Sequence, residues 1–212
     1  MDGRDLRDHW ETIHREKAAT EVSWYRPHLE SSLRLIEEAA QNKSASIIDV
    51  GAGRSTLVDD LLARGYENVT VLDIAQTAVD AASARLGDDS ARVRWLVGDV
   101  TKTTLSPAAY DVWHDRAVFH FLTEAADRAA YVQQVGAALK PGGCVIAGVF
   151  AAGGPARCSG LDVVRYDADA LQREVGEAWR LTRVIEEEHE TPSGREQPFL
   201  YCCFRLDGHL AR

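Results

Sequence analysis

Three aspartates and a pair of glycines stand at positions where they could form a binding site. The sequence Asp49-Val50-Gly51-Ala52-Gly53 ends a short apolar run, and Asp73 and Asp99 end the next two. Glycines at such a turn let a ligand approach the backbone closely, and the helix that follows offers free N–H groups. A carboxylate after the second run can accept both hydroxyls of a ribose. One after the third can meet an adenine amino group, so the pattern predicts a site for an adenosine-bearing ligand.

The glycine spacing separates this site from a dinucleotide site. A dinucleotide site has a third glycine in the spacing G-x-G-x-x-G, but the third position here is Thr56. The acid two residues before Gly51 also favours a cationic ligand over a pyrophosphate. Two glycines alone would also fit a tight strand–helix turn that binds nothing. Three strand-end acids in order favour a binding site, and a nicotinamide-dependent reductase remains a weaker alternative.

Alternating strands and helices must carry these residues to one edge of a sheet. Apolar and β-branched runs predict strands, and apolar residues at helical spacing predict the helices between them. This alternation favours an α/β fold with parallel strands and right-handed crossovers, which place helices on both faces. The carboxyl ends of parallel strands lie together, so the three aspartates should meet. Strands are predicted over 46–50, 69–73, 92–97, 110–113 and 144–150, and helices over 57–62, 75–86, 131–139 and 167–175.

The two ends of the chain depart from this alternation. Residues 179–188 and 198–206 have the composition of strands, and their short connection favours an antiparallel hairpin at the edge of the sheet. Two helical stretches precede the first strand, and in the second of them Leu29, Leu33 and Ile36 share a face. These end segments are therefore expected to flank a parallel core.

A further motif, Leu139-Lys140-Pro141-Gly142-Gly143, precedes the fifth predicted strand. Together with the glycine turn, Asp73 and Asp99-Val100, it resembles the motifs of class I S-adenosylmethionine-dependent methyltransferases. Where that family often has a third glycine, this chain has Ser55. The resemblance implies a Rossmann-like, doubly wound sheet of seven strands, with strands 1–5 parallel, the last strand antiparallel and helices on both faces. It also implies S-adenosyl-L-methionine as the cofactor and S-adenosyl-L-homocysteine as the product.

One methyltransferase domain over residues 1–212 is predicted, and it is divided into four parts. These are an N-terminal helical cap (1–43), a cofactor-binding core (44–150), a lid loop (151–166), and a helix with the C-terminal β-hairpin (167–212). The resemblance assigns the family's cofactor contacts to positions in the cap and the core. The implied cofactor-binding residues are Trp24, Tyr25, Asp49, Gly51, Ala52, Gly53, Ser55, Asp73, Ile74, Asp99, Val100 and His114.

The N-terminal segment has a narrower likeness. His9-Trp10-Glu11 and Val22-Ser23-Trp24-Tyr25 resemble the opening of small methyltransferases, among them protein-lysine and small-molecule enzymes, in which this segment caps the cofactor. An aromatic face attracts a sulfonium by about 0.5–2 kcal/mol through cation–π interaction. Alternatively, Trp10 and Trp24 only fasten the first helices onto the sheet.

The residues after the predicted fourth strand are the candidates for the methyl-acceptor side. His114, Asp115 and Arg116 are three polar groups in an otherwise apolar stretch. We interpret His114 and Asp115 as candidate catalytic residues that orient the acceptor or take its proton, and Arg116 as substrate-binding. Alternatively, an Asp–Arg pair braces the loop. His120 is expected to be a packed helix residue.

Two further segments should reach the same opening. The connection 151–166 is long, contains several glycines and carries Cys158, so it is predicted to act as a lid. The hairpin after the sixth strand carries His189 and Gln197, and the end of a parallel sixth strand lies on the ligand side. Cys158, His189 and Gln197 therefore join the candidate substrate-binding residues. Cys158 could bind a soft acceptor such as a metalloid or thiol, or it could pack within the lid.

Composition restricts the class of protein. The 212 residues include 24 Lys and Arg against 33 Asp and Glu, a formal net charge of -9, which weighs against nucleic acid as the main partner. No segment reaches the length of a membrane span, and the charged N-terminus lacks an apolar signal core, so a cytoplasmic location is expected. Four cysteines without C-x-x-C spacing predict neither disulfides nor a metal site. A monomer or weak homodimer is expected.

Several functions remain open at this point. The favoured one is methyl transfer to a small molecule, because the cap, lid and hairpin leave little open surface for a large substrate. The alternative is methylation of a protein lysine, which would call for an exposed acidic channel. A cofactor-binding protein without catalytic activity would have almost the same sequence.

Overall fold

The computed structural model describes residues 3–206 and follows the predicted alternation of elements. The helices are α1 (Gly3–Glu16), α2 (Glu30–Ala39), α3 (Leu57–Ala63), α4 (Gln76–Leu86), α5 (Ala125–Ala138) and α6 (Ala168–Val175). The strands are β1 (Ser46–Val50), β2 (Asn68–Asp73), β3 (Val93–Val97), β4 (Tyr110–Arg116), β5 (Leu139–Phe150), β6 (Arg157–Cys158), β7 (Leu161–Asp162), β8 (Trp179–Glu190) and β9 (Glu196–Leu206). None of the helices within residues 3–206 is long and apolar enough to cross a membrane.

Seven strands form one sheet in the order β3-β2-β1-β4-β5-β9-β8. Strands β1 to β5 pair in parallel, and β9 runs antiparallel to both of its neighbours. The predicted seven-stranded sheet with an antiparallel last strand is confirmed. The strand order reverses between β1 and β4, and ligands of such sheets bind beyond the carboxyl ends at this reversal. Strands β6 and β7 form a separate two-stranded ribbon within the connection 151–166.

Apolar side chains fill the space on both faces of the sheet. One cluster joins α2 and α3 to the sheet through residues such as Leu33, Ile36 and Leu61. The other joins α5 and α6 to it through residues such as Val135 and Leu171. The central strands are therefore covered on both sides, and Ile47, Ile48 and Val50 of β1 are all buried. All four cysteines are free and buried.

Strand β4 extends beyond the predicted 110–113 and ends at Arg116. It is longer because it is paired on both sides, with Val50 of β1 opposite Asp115 and Gly148 of β5 opposite Arg116. Side chains alternate along a strand, so His114 and Arg116 point to one face and Asp115 to the other. From the sequence we predict that these three residues form one cluster after the strand. The structure instead separates Asp115 from the other two. No Asp115–Arg116 pair braces the following turn.

On its own face, Asp115 anchors that turn. Its carboxylate accepts the backbone N–H groups of Val118 (2.9 Å) and Phe119 (3.0 Å). It also accepts the hydroxyl of Tyr131 on α5 (2.8 Å), and that hydroxyl in turn accepts the indole N–H of Trp113 (2.8 Å). Burial is the largest influence on the carboxyl and raises the pKa of Asp115 to about 6 against these hydrogen bonds. The network fixes both α5 and the turn to β4.

This network yields a stability prediction with a matched control. Tyr131→Phe removes the hydroxyl that pairs with Trp113 and Asp115, both buried, so the free energy of unfolding should fall by about 2–4 kcal/mol. Tyr110 is equally buried, but its hydroxyl has no partner among the described residues. Tyr110→Phe should therefore leave the stability unchanged or slightly higher. Urea unfolding measures both, and equal losses would contradict the assigned network.

Candidate functional site

A cavity lies over the carboxyl ends of the first strands, with about 830 Å³ of empty space that includes its opening to solvent. Its floor comprises Val50, Gly51, Gly53, Leu72, Asp73, Ile74, Gly98, Asp99 and Val100 at the ends of β1 to β3. Its roof comprises Leu6, Trp10 and His14 of α1 together with Trp24. Its far wall comprises Arg116, Ala117, Val118, Phe121, Leu122 and Cys158.

The glycine turn after β1 leaves no room for side chains. Gly51 and Gly53 have φ angles of 64° and 55°, in the left-handed region that favours glycine. A Cβ atom on Gly51 would overlap the side chain of Val118, and one on Gly53 would lie 3.3 Å from the imidazole of His14. The backbone of the turn is thus held close to the far wall and to the roof, and it borders the cavity directly.

Asp73 ties this turn to the end of β2. Its two carboxylate oxygens accept the N–H groups of Gly53 (2.7 Å) and Ala75 (2.8 Å). A carboxylate can accept about four hydrogen bonds, so Asp73 can still accept hydrogen bonds from ligand hydroxyls. Burial is the largest influence on this carboxyl, and with the nearby charge of Asp49 it raises the pKa of Asp73 to about 6. The carboxyl is therefore ionised at neutral pH and takes up a proton as the pH falls through about 6.

Asp99 lies in the floor of the first cavity, just after β3, and its carboxylate is hydrogen-bonded within its own loop. Its carboxylate accepts the backbone N–H (2.9 Å) and the hydroxyl (2.6 Å) of Thr101, and it pairs with Lys102 at 2.9 Å. Burial raises the pKa of Asp99, but the hydrogen bonds from Thr101 and Lys102 outweigh it and lower the pKa overall. Asp99 thus remains ionised where the third strand meets the cavity.

Asp49 and His114 form a buried relay beneath the glycine turn. Asp49 Oδ1 lies 2.7 Å from His114 Nδ1, and His114 Nε2 lies 2.8 Å from the hydroxyl of Ser32 on α2. With the proton on Nδ1, His114 donates to Asp49 and accepts from Ser32. The other oxygen of Asp49 is buried and has no partner within residues 3–206. An unpaired carboxylate oxygen is expected to accept a hydrogen bond from a cationic ligand group.

A second cavity of about 580 Å³ adjoins the first. The two cavities share His14, Trp24, Gly51 and Arg116. The residues that border only the second cavity include Lys17, Tyr25, Arg26, Asp49, Ala52, Arg54, Ser55 and His114. All twelve predicted cofactor-binding residues therefore border one cavity or the other.

Helix α1 covers the first cavity with one face. Leu6, Trp10 and His14 recur every four residues, so they lie on the same side of the helix. The Trp10 ring packs against the rings of Trp24 (5.8 Å between centroids) and Phe121 (5.1 Å). The tryptophans thus line the cavity and also fasten the helix. Burial, followed by the nearby charge of Arg54, lowers the pKa of His14 to about 4, so the roof carries a neutral imidazole.

Two polar contacts hold α1 in place. The Glu11 carboxylate accepts the N–H groups of Gln76 (2.7 Å) and Thr77 (3.2 Å), the first residues of α4. At the C-terminal end of α1, Arg54 donates to the carbonyl oxygens of His14 and, at 3.1 Å, of Lys17. The first contact satisfies free N–H groups at the start of α4, and the second satisfies free carbonyls at the end of α1. The roof is therefore attached to the core through the C-terminal half of α1.

Arg116 lies in the far wall, at the junction of the two cavities. Its Nε donates to the hydroxyl of Tyr201 (2.9 Å) and its Nη1 to the carbonyl of Trp24 (3.0 Å), while the guanidinium lies 4.4 Å from the centre of the Phe199 ring. The thiol of Cys158, also in the far wall, lies 3.9 Å from the hydroxyl of Ser23. Burial is the largest influence on this thiol and raises its pKa, so it stays protonated.

Three other predicted site residues do not border the cavities. Asp115 is directed to the opposite face of the sheet, as described above. His189 is buried, with Nε2 2.6 Å from the carbonyl of Ser23, so it supports the segment that carries Trp24. Gln197 lies on β9, and its side-chain oxygen has no partner among the described residues. His120, as expected, is packed in the core, where its Nδ1 accepts the N–H of Phe150.

Sequence reasoning missed four residues that shape the site. His14 and Arg54 connect the roof to the glycine turn, and Glu11 connects it to α4. Ser32 is hydrogen-bonded to His114, which in turn contacts Asp49. The four-residue spacing of Leu6, Trp10 and His14 was a signal for His14. The other contacts join residues far apart in the chain, and no local pattern points to them.

Comparison with known proteins gives a family match in the core. A family profile described as a methyltransferase domain matches residues 47–143. This stretch extends from β1 into β5 and contains the glycine turn and the strand-end acids.

Curated relatives match this chain over part of their own length. A protein of Bos taurus named eEF1A lysine and N-terminal methyltransferase is 25% identical over 195 residues, which is 90% of this chain and 26% of the relative. The Mus musculus protein of the same name is 24% identical over 109 residues, which is 51% of this chain and 15% of the relative. The chain therefore spans about a quarter or less of the length of these relatives.

Solved structures share the fold at low identity. One that describes the conversion of a disulfide bond into a thioacetal group during echinomycin biosynthesis has a TM-score of 0.77 at 18% identity, covering 97% of this chain and 94% of that chain. The Burkholderia thailandensis 1,6-didemethyltoxoflavin-N1-methyltransferase, with bound 1,6-didemethyltoxoflavin and S-adenosylhomocysteine, has a TM-score of 0.72 at 20% identity, covering 95% and 87%. At this level of identity the likeness shows a shared fold.

The attachment of α1 can be tested without any ligand. Glu11→Ala removes the carboxylate that caps α4, so α1 should open more often while the sheet stays folded. A hydrogen bond to a charged group contributes about 1.5–3 kcal/mol, so amide exchange in α1 should accelerate about 10- to 100-fold. Hydrogen–deuterium exchange with mass spectrometry measures the rate. Glu16→Ala, at an exposed position of the same helix, is the control, and equal acceleration in both variants would contradict the role of Glu11.

Proposed function

The chain belongs to the class I S-adenosylmethionine-dependent methyltransferase family, and we propose that it transfers a methyl group from S-adenosyl-L-methionine to a small-molecule acceptor by in-line displacement. One observation carries the choice of acceptor. The cavity that begins over the strand-end acids continues, beneath Trp10 and Trp24, to the far wall at Arg116 and Cys158. Cofactor and acceptor would therefore share one covered space, which favours a small acceptor.

The polar groups of the site fit the parts of this cofactor. Asp73 retains acceptor positions for the ribose hydroxyls, and Asp99 lies where the adenine edge would reach the third strand. The unpaired oxygen of Asp49 suits the cationic amino group of the methionine part. Gly51, which has no side chain, lets this part lie against the backbone. We assign His114 the role of a positioning residue, because it touches Asp49 and Ser32 and orients the carboxylate.

Methyl transfer from this cofactor depends little on a side-chain base. Bound S-adenosylmethionine supplies a methyl group on a sulfonium, which is a good leaving group. The chain's own task is to hold the acceptor in line with that methyl group and to exclude water, and such positioning can contribute about 7–11 kcal/mol. Trp10, Trp24 and Phe121 cover the space and offer aromatic faces to a sulfonium. We assign Asp115, through the turn at 118–119, a positioning role for the far wall.

Methylation of a protein lysine is the second candidate. It is favoured by the relative named eEF1A lysine and N-terminal methyltransferase, which matches 90% of this chain. The far wall supports the small-molecule proposal more than this one, because the charged side chain that borders it is the cation Arg116. A lysine substrate would gain more from acids in that place.

The ionisation of Asp73 leads to a pH dependence. Because burial raises the pKa of Asp73 to about 6, the carboxyl is protonated below that pH and loses acceptor capacity for the ribose and for Gly53. The affinity for S-adenosylhomocysteine at pH 5 should therefore be about tenfold lower than at pH 7. Titration calorimetry at a series of pH values measures this.

Two variants control the experiment. Asp73→Asn should bind more weakly, with an affinity that no longer changes between pH 5 and pH 7. Asp111→Ala, at the opposite end of the sheet where Asp111 accepts from Ser46 and Lys140, should keep the wild-type affinity and pH dependence. A pH dependence that persists in Asp73→Asn would assign it to another group, such as Asp115.

The proposed reaction is tested with S-adenosylmethionine labelled in its methyl group. After incubation of the protein with this cofactor and cell extract, label in the small-molecule fraction supports the proposal, and label in protein supports the lysine alternative. S-adenosylhomocysteine should bind in the micromolar range. Absence of its binding together with binding of NAD would overturn the assignment as a methyltransferase.

A further inference from the structure

We propose that the methyl acceptor carries a carboxylate, and that Arg116 binds this group at the junction of the two cavities. This inference rests on the proposed function, since it concerns the acceptor of the same reaction. It goes further by naming the chemical class of the acceptor, an anion with an apolar body. Arg116 thereby becomes the residue that determines specificity.

The hydrogen-bonding state of Arg116 is the first observation. The residue is only 8% exposed, yet its Nη2 has no hydrogen-bond partner within the described part of the chain. The Nε and Nη1 groups are directed to Tyr201 and Trp24, and neither of those partners carries a charge. A buried guanidinium with an unused donor is costly unless an acceptor completes it.

The surrounding charges give the second observation. No carboxylate of residues 3–206 lies within ion-pair distance of Arg116. Glu187, whose charge acts on the same Tyr201 hydroxyl, is already paired with Arg26 at 3.2 Å. Lys17 and Arg54 also border the second cavity, where the acid is Asp49. In a chain with a net charge of -9, this end of the site is locally cationic.

The shape of the far wall gives the third observation. Next to Arg116 it is lined by Val118, Phe121 and Leu122, and Trp10 covers it. An acceptor that fits here has an apolar body against these side chains and its charge against the guanidinium. The unpaired Nη2 of the guanidinium can donate a charge-assisted hydrogen bond to a carboxylate oxygen of such an acceptor.

The same arrangement discriminates against a cationic acceptor. An ammonium group that approached the methyl position would enter the field of Arg116, with no acid in the far wall to offset the repulsion. A carboxylate on the acceptor removes that repulsion. The charge of Arg116 therefore favours an anionic small molecule over a protein lysine as the acceptor.

The experiment uses the full chain saturated with S-adenosylhomocysteine and two probes of nearly the same shape, one anionic and one neutral. Benzoate and its neutral counterpart benzamide are titrated into the complex by calorimetry. Wild type should bind benzoate about 10- to 100-fold more tightly, as expected for one charge-assisted contact. In Arg116→Met this preference should disappear. Arg94→Met, which changes an exposed arginine of β3 outside both cavities, should retain it.

Several outcomes would overturn the inference. Equal affinity of wild type for the two probes does so even if Arg116→Met fails to fold, and so does an unchanged benzoate preference in Arg116→Met. If Arg116 instead binds the cofactor's own carboxylate, Arg116→Met will lose affinity for S-adenosylhomocysteine but not for 5′-methylthioadenosine, which lacks that group. Failure of wild type to bind S-adenosylhomocysteine at all would instead count against the proposed function.

Discussion

The carboxylate of Asp73 holds together the two turns on which the site depends. By accepting from Gly53 and from Ala75, it ties the end of β1 to the end of β2. Within this left-handed turn the N–H of Gly51 donates to the carbonyl of Leu72 (2.7 Å), whereas the N–H of Gly53 is satisfied by Asp73. The same burial that makes these hydrogen bonds strong also raises the pKa of Asp73 to about 6. Rigidity of the turn and sensitivity to acid thus have one origin.

The alternation of side chains along β4 divides the polar groups between two tasks. Trp113 and Asp115 face α5, where their hydrogen bonds are satisfied within the protein. His114 and Arg116 face α2 and the cavities, where the relay through Asp49 and the guanidinium of Arg116 each leave one polar atom unpaired. Residues that alternate along this central strand therefore have different roles. Trp113 and Asp115 stabilise the fold, whereas His114 and Arg116 shape the site. A shift of one residue in the register of β4 would exchange these roles.

The sequence predicted the sheet and the cofactor side of the site because both are local. Apolar runs mark the strands, and the turn at 49–53 and the acids Asp73 and Asp99 end them directly. The end of β4 was missed because polar residues in a doubly paired central strand have the composition of a loop. The N-terminal cap was predicted, but its attachment through Glu11 was missed, because Glu11 meets Gln76 only through tertiary contact. The environment of Arg116 was missed because its partners Tyr201 and Trp24 are distant in the chain, which no local pattern contains.

The balance of charge within the covered space links the cofactor to the acceptor. Acids lie where the adenosine and the amino group would bind, and the cation Arg116 lies in the far wall. A sulfonium bound between them would place a second positive charge in the same low-dielectric space, and the repulsion between two such charges grows as water is excluded. A neutral acceptor would leave that repulsion in place. A carboxylate on the acceptor would offset it, so closing the roof over both ligands would strengthen binding and bring the reacting groups together at once.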